Sequence, residues 1–138
     1  MVFIFFNKIF ALYFATTYCM GVGINFLLKY LINRPRPYVV DPQIVNKMPE
    51  IGMSFPSGHS LSAGLIAAFL IFIILKTVKN KKLKIFLVCL AILFVLLVIF
   101  ARLYLGQHYL SDTLAAIALA GVYSVISLYL YNKNKFIK

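Results

Sequence analysis

Four apolar runs dominate this chain, and each is close to the roughly 20 helical residues needed to cross a bilayer's hydrocarbon core. They fall at approximately 9–30, 57–75, 85–102 and 112–131. Lipid offers no water to satisfy backbone amides and carbonyls, so a spanning run must be helical. Charge is correspondingly scarce. Only 12% of the residues are charged and 63% are hydrophobic, whereas about a quarter of a soluble domain is charged. The fold class that follows is all-α: an integral-membrane helical bundle of about four transmembrane helices, with an interfacial loop between the first two. Residues 1–138 read as one transmembrane domain.

The first run is long for a signal peptide, no A-x-A site follows it, and it leads into a basic motif, so it reads as a span. After it, Arg34-Pro35-Arg36-Pro37, Asp41-Pro42 and Met48-Pro49 stop the helix and keep the segment to Phe55 irregular. That segment also carries Val39, Val40, Ile44, Val45, Met48, Ile51, Met53 and Phe55, an apolar set suited to the membrane interface. Tyr30, Tyr104, Tyr129 and Tyr131 fall near span ends, where interfacial aromatics belong. Cys19 and Cys89 lie inside apolar runs and read as small buried residues, not as a disulfide or a metal site.

Charge sorts by side. Four spans place Lys8, Lys76, Lys79, Lys81, Lys82, Lys84, Lys133, Lys135 and Lys138 on one side with no acid. Lys29, Arg34, Arg36, Lys47 and Arg102 share the other side with Asp41, Glu50, Asp112 and both histidines. The positive-inside rule makes the first side cytoplasmic. The net charge of +11 therefore reports topology; its lysines form separate cytoplasmic clusters, which disfavours a nucleic-acid partner. The reading is a multi-pass plasma-membrane protein with its polar face extracytoplasmic.

Three polar pieces meet that outer face, each at a span boundary. They are Lys29 to Arg36-Pro37, Pro56-Ser57-Gly58-His59, and Arg102 to His108 and Asp112. Pro56 and Gly58 make a turn, Ser57 or Ser60 can cap the next helix, and that helix start is an anion site. Lys29, Arg36 and Arg102 supply cations, and a guanidinium can grip two phosphate oxygens at once. His108 and Asp112 stand four apart, so on a helical turn the carboxylate can hold one ring nitrogen and aim the other outward. His108 is then the candidate nucleophile, and His59 the acid that protonates the leaving oxygen and later the base that activates water. Two histidines and one nearby aspartate give few metal ligands, and three cations would repel a metal, so no metal and no cofactor are expected.

In this order and spacing the pieces resemble the type 2 phosphatidic acid phosphatase superfamily, whose motifs are K-x6-R-P, P-S-G-H and S-R-x5-H-x3-D. Only the residue before the last motif's arginine departs, Ala101 standing in place of serine. The resemblance implies phosphate binding by Lys29, Arg36, Ser57, Gly58 and Arg102, a phosphohistidine on His108, acid catalysis by His59 and orientation by Asp112. It also implies a metal-independent membrane lipid phosphatase. Bacterial membrane members act on undecaprenyl diphosphate and phosphatidylglycerophosphate, and the expected substrate is a lipid phosphomonoester or diphosphate, with undecaprenyl diphosphate favoured. Those members usually have six spans, so the chain is expected to be an N-terminally short form or one that completes its bundle as a homo-oligomer. The other reading is a non-catalytic or truncated relative that only binds lipid phosphate.

The sidedness is testable with single cysteines in a background lacking Cys19 and Cys89. Asn80→Cys and Asn134→Cys should react only from the cytoplasm, and Val45→Cys only from outside. Labelling of Asn80→Cys from outside intact cells would move the polar face to the cytoplasm.

Overall fold

A computed structural model of the chain describes residues 8–45 and 50–135. The stretch before Lys8, and with it Lys47, Met48-Pro49 and Lys138, lies outside the described residues. The helices are α1 (Lys8–Ile32), α2 (Pro37–Val40), α3 (Gly58–Thr77), α4 (Lys81–Tyr104) and α5 (Leu110–Lys135). All but α2 are long and apolar enough to cross a membrane. The single turn of α2 departs from the irregular segment expected there. Pro37 sits at its first position, where the missing N–H has no partner to lose and the ring presets the backbone.

Helix ends follow local chemistry. Asn33 takes a positive φ of 49° and donates its N–H to the Lys29 carbonyl, an αL cap on α1. Asn80 starts α4 by accepting a hydrogen bond from the amide of Leu83. Alternation along the chain brings the lysines at the start of α1, the end of α3, the start of α4 and the end of α5 to one end of the bundle. Segments 33–45 and 50–57 and the α4–α5 link occupy the opposite end.

Helix α3 is the centre, packed against α1, α4 and α5. Near the polar end, Leu61 and Leu65 meet Ala116 and Ala120, with Tyr18 and Tyr123 closing over them. Near the lysine end, Phe10, Phe69 and Tyr131 form an edge-to-face aromatic cluster, with centroids of Phe10 5.6 Å from Phe69 and 5.2 Å from Tyr131. Tyr131 is thus a core residue, whereas Tyr30, Tyr104 and Tyr129 are exposed as interfacial aromatics would be. Polar side chains also join the helices: Thr17 donates to Ser127 at 2.6 Å, and Tyr18 pairs with Ser62 at 3.1 Å.

The outer surface is apolar. Phe86, Leu97 and Phe100 of α4 point away from the protein, and Ala91 is the buried residue of that helix. The same inversion corrects the expectation for the cysteines. Cys19 and Cys89 are both exposed, because lipid is itself an apolar phase and apolar side chains need not turn inward.

Gly64 sets the spacing of the central pair. A Cβ there would stand 2.8 Å from the Ala120 Cβ and 3.2 Å from Ile117 Cδ1. Gly64→Ala should force α3 from α5 and lower the melting temperature in detergent, at a loss of about 1–3 kcal/mol. Gly121→Ala, with nothing near its added carbon, serves as the control. Equal melting temperatures for both variants would show that the close approach does not limit packing.

Candidate active site

The segment after α1 folds back over the helix ends because cations hold its carbonyls. Lys29, in the last turn of α1, donates to the Met53 carbonyl at 2.5 Å. Arg36, nearly fully buried, donates through Nε to the Gly52 carbonyl at 2.9 Å and through Nη1 to the Gln107 carbonyl at 3.3 Å. Gly52 has a φ of 95°, a conformation that residues with a Cβ rarely adopt. Ser54 closes the loop by donating its amide to the Arg34 carbonyl at 2.8 Å.

Helix α3 then begins as its sequence predicts. Ser57 is the N-cap, its Oγ accepting from the Ser60 amide at 3.4 Å and the Ser60 hydroxyl at 3.0 Å. The first amides of α3 have no intrahelical acceptor, and the helix dipole puts partial positive charge at the same place.

The third piece departs from a simple helical pair. Helix α5 starts at Leu110, so His108 lies in the turn before it, after Gly106 with its φ of 68°. His108 Nδ1 stands 3.6 Å from Asp112 Oδ2, beyond hydrogen-bond distance, and has no hydrogen-bond partner among the described residues. The Asp112 carboxylate is instead occupied by other donors. Arg34 Nη1 reaches Oδ1 at 2.6 Å, while the Ser54 hydroxyl and the Tyr109 amide, the latter at 2.9 Å, reach Oδ2. Arg34 also bonds Ser111 at 2.8 Å and lies over the Tyr109 ring, 3.8 Å from its centroid.

These pieces surround one cavity of about 590 Å³. Lys29, Arg36, Gly58, His59 and His108 line it, together with apolar Val22, Phe26 and Leu61. Arg102 reaches the site from the end of α4, donating to Gln107 Oε1 at 3.0 Å and lying 3.4 Å from His59 Nδ1. Ser57 and Asp112 are fully buried: the Ser57 hydroxyl is turned to Ser60, and Asp112 braces the loop.

Three residues join the site that motif spacing leaves unassigned. Arg34 partners Asp112, Gln107 links Arg36 to Arg102, and Glu50 pairs with both arginines. The signal for Arg34 was Asp112 itself, since a buried carboxylate needs a counter-charge. No spacing rule points to Glu50 or Gln107.

Burial above all, reinforced by Arg36 and Lys29, lowers the His108 pKa from 6.5 to about 4, against the opposing pull of Asp112 and Glu50. The ring is therefore neutral at pH 7, with a lone pair available beside two cations. A neutral imidazole, guanidinium and ammonium donors and a helix start around one cavity can hold a tetrahedral oxyanion against a nitrogen nucleophile.

Residues 10–136 match the family model of the PAP2 superfamily. The chain belongs to that superfamily. It is 31% identical over 109 residues to undecaprenyl-diphosphatase BcrC of Bacillus subtilis strain 168, an alignment covering 79% of this chain and 51% of that protein. It also superposes on the crystal structure of a transmembrane PAP2-type phosphatidylglycerolphosphate phosphatase from Bacillus subtilis. There the TM-score is 0.76 at 26% identity, over 88% of this chain and 59% of that one. The chain thus spans about half the length of the curated relative it matches. The superfamily match and the four apolar helices make this a multi-pass membrane protein.

The lowered His108 pKa gives a pH test with a definite sign. The folded state resists protonation that the unfolded state accepts at about 6.5. The stability linked to this ring is fully present above pH 6.5 and is lost as pH falls toward 4. Imidazole NMR of the two histidines, assigned with a His59→Gln variant, should show His108 neutral until about pH 4. A midpoint near 6.5 would contradict this environment.

Proposed function

We propose that the chain is an integral-membrane lipid phosphatase acting through a phosphohistidine. The observation that carries the lipid reading is the mixed lining of one cavity. Lys29, Arg36, His59 and His108 lie beside Val22 and Phe26, the last of which is 76% exposed on the outside of α1. A substrate with a charged head at the interface and an apolar tail in the bilayer fits both parts, while a soluble ester gains nothing from the second. PAP2 membership and the similarity to a named undecaprenyl-diphosphatase support the same class.

In this mechanism Lys29, Arg36, Arg102 and the Gly58 end of α3 hold the phosphoryl oxygens. His108 attacks phosphorus through Nε2, its Nδ1 being the nitrogen that faces Asp112. As the N–P bond forms, the bond to the leaving oxygen breaks and His59 donates a proton to that oxygen. His59 then takes a proton from water, which attacks the phosphohistidine and releases inorganic phosphate, restoring neutral His108. Ser57 and Asp112 act behind the reacting groups, Ser57 by holding the helix start and Asp112 by bracing the turn that carries His108. The electrostatic stabilisation comes from fixed cations, and no metal is required. Three cations suit a multiply charged headgroup, so a diphosphate is favoured, with an isoprenoid carrier lipid as first candidate. The nine lysines that the sequence assigns to the opposite side support an extracytoplasmic site through the positive-inside rule.

Phosphate release should be followed in micelles with undecaprenyl diphosphate, phosphatidylglycerophosphate, phosphatidate and a short soluble phosphate ester. The lipids should have the higher kcat/KM, and EDTA should leave the rate unchanged. His108→Ala should abolish turnover and the phosphoenzyme, while His59→Ala should slow turnover by about two to four orders of magnitude. Loss of activity in EDTA with recovery on adding a divalent metal would overturn the histidine mechanism. The highest kcat/KM for the soluble ester would overturn the lipid reading. Absence of any phosphate release would leave a protein that only binds lipid phosphate.

A further inference from the structure

Glu50 occupies the place where an anionic headgroup would be held. Its Oε2 lies 3.0 Å from Arg36 Nη1, and its Oε1 lies 3.1 Å from Arg102 Nη1 and 3.9 Å from His59 Nδ1. One carboxylate thus spans two of the cations assigned to phosphate, and it does so on the wall of the catalytic cavity. It leaves part of the donor set unused: Arg102 Nε is buried with no hydrogen-bond partner among the described residues. A buried donor without an acceptor is unfavourable and favours a ligand with more oxygens than a carboxylate. Glu50 belongs to no helix, and its side chain is 29% exposed, so it can swing out without unwinding an element.

We propose that Glu50 is an internal monoanion that sets an affinity threshold on the cradle, one that dianionic phosphoryl groups clear and that the phosphodiesters of the surrounding bilayer do not. This rests on the lipid phosphatase reading of the same site. An open pocket bearing Lys29, Arg36 and Arg102 would attract any lipid phosphate, and phosphodiester lipids carry a single negative charge there. Exchanging Glu50 for such a headgroup replaces one negative charge by another, so little Coulombic energy is gained. A terminal phosphoryl group carrying two charges gains the attraction of the extra charge, and in a low-dielectric pocket that difference is large. Its third oxygen also reaches donors that a carboxylate leaves empty. Substrate entry then includes displacement of Glu50, and departure of the product phosphate lets it return.

The test uses the full chain in detergent micelles, as wild type and Glu50→Gln. Four quantities are measured: kcat and KM for undecaprenyl diphosphate, Ki for phosphatidylglycerol as a phosphodiester competitor, and the Kd of phosphatidylglycerol by titration calorimetry. In Glu50→Gln the Ki and the calorimetric Kd for phosphatidylglycerol should fall by about tenfold or more, a modest share of one unit charge at close range. KM should fall as well, because substrate has to displace the same carboxylate. An unchanged phosphatidylglycerol affinity in Glu50→Gln overturns the proposal. So does a higher KM with an unchanged Ki, which would make Glu50 a brace for Arg36 and Arg102. The calorimetric comparison decides the matter even if wild type releases phosphate from no lipid, a result that would overturn only the phosphatase reading.

Discussion

A buried carboxylate has to be surrounded by donors, and Asp112 draws its donors from separate parts of the chain. Arg34 comes from the segment after α1, Ser54 from the loop before α3, and the Tyr109 amide from the turn before α5. The Asp112 carbonyl adds a fourth tie by accepting from the Ser57 amide at 3.1 Å. Removing one of these donors leaves a buried carboxylate short of a partner, which is unfavourable. The α1 end, the α3 start and the α5 start are therefore held in one arrangement by a single residue. His108, Lys29 and Arg36 take their positions within that frame.

The bilayer inverts the usual logic of the interior. Helix α4 keeps most of its apolar side chains on the outside, where lipid solvates them, so packing cannot rely on expelling water. Contacts between helices use what lipid cannot supply, namely close backbone approach at Gly64, the hydroxyl pair of Thr17 and Ser127, and aromatic edges around Phe10. At the other end the polar loop must satisfy its carbonyls beside an apolar phase. It does so with Lys29 and Arg36, the same cations that face the cavity. The charges that order the loop thus also line the cavity.

The four spans, the N-cap at Ser57 and the clustering of three motifs at one end were legible in the sequence. Each rests on local composition or on spacing along one helix. The single turn at Pro37 was missed because proline ends one helix as readily as it starts another. Tyr131 was placed at the interface, yet it packs under Phe10, because depth along a span does not say which way a side chain points. Spacing suggested a direct bond between His108 and Asp112, and the structure gives a 3.6 Å separation because stronger donors reach the carboxylate first.

The sequence by itself determined the phase in which this protein lives, the number of helices that cross it, and the residue types gathered at one end. Hydropathy and charge act residue by residue, so no three-dimensional information is needed to sum them. Only the tertiary structure decided which partner each charged group takes. Asp41, Glu50 and Asp112 share one face with several cations, and sequence spacing ranks none of their possible pairings. Pairing is set by distance and burial at the few ångströms over which a charge-assisted bond is strong. At that range Arg34 is drawn to Asp112, Glu50 is laid across Arg36 and Arg102, and His108 is left neutral on the wall of the cavity.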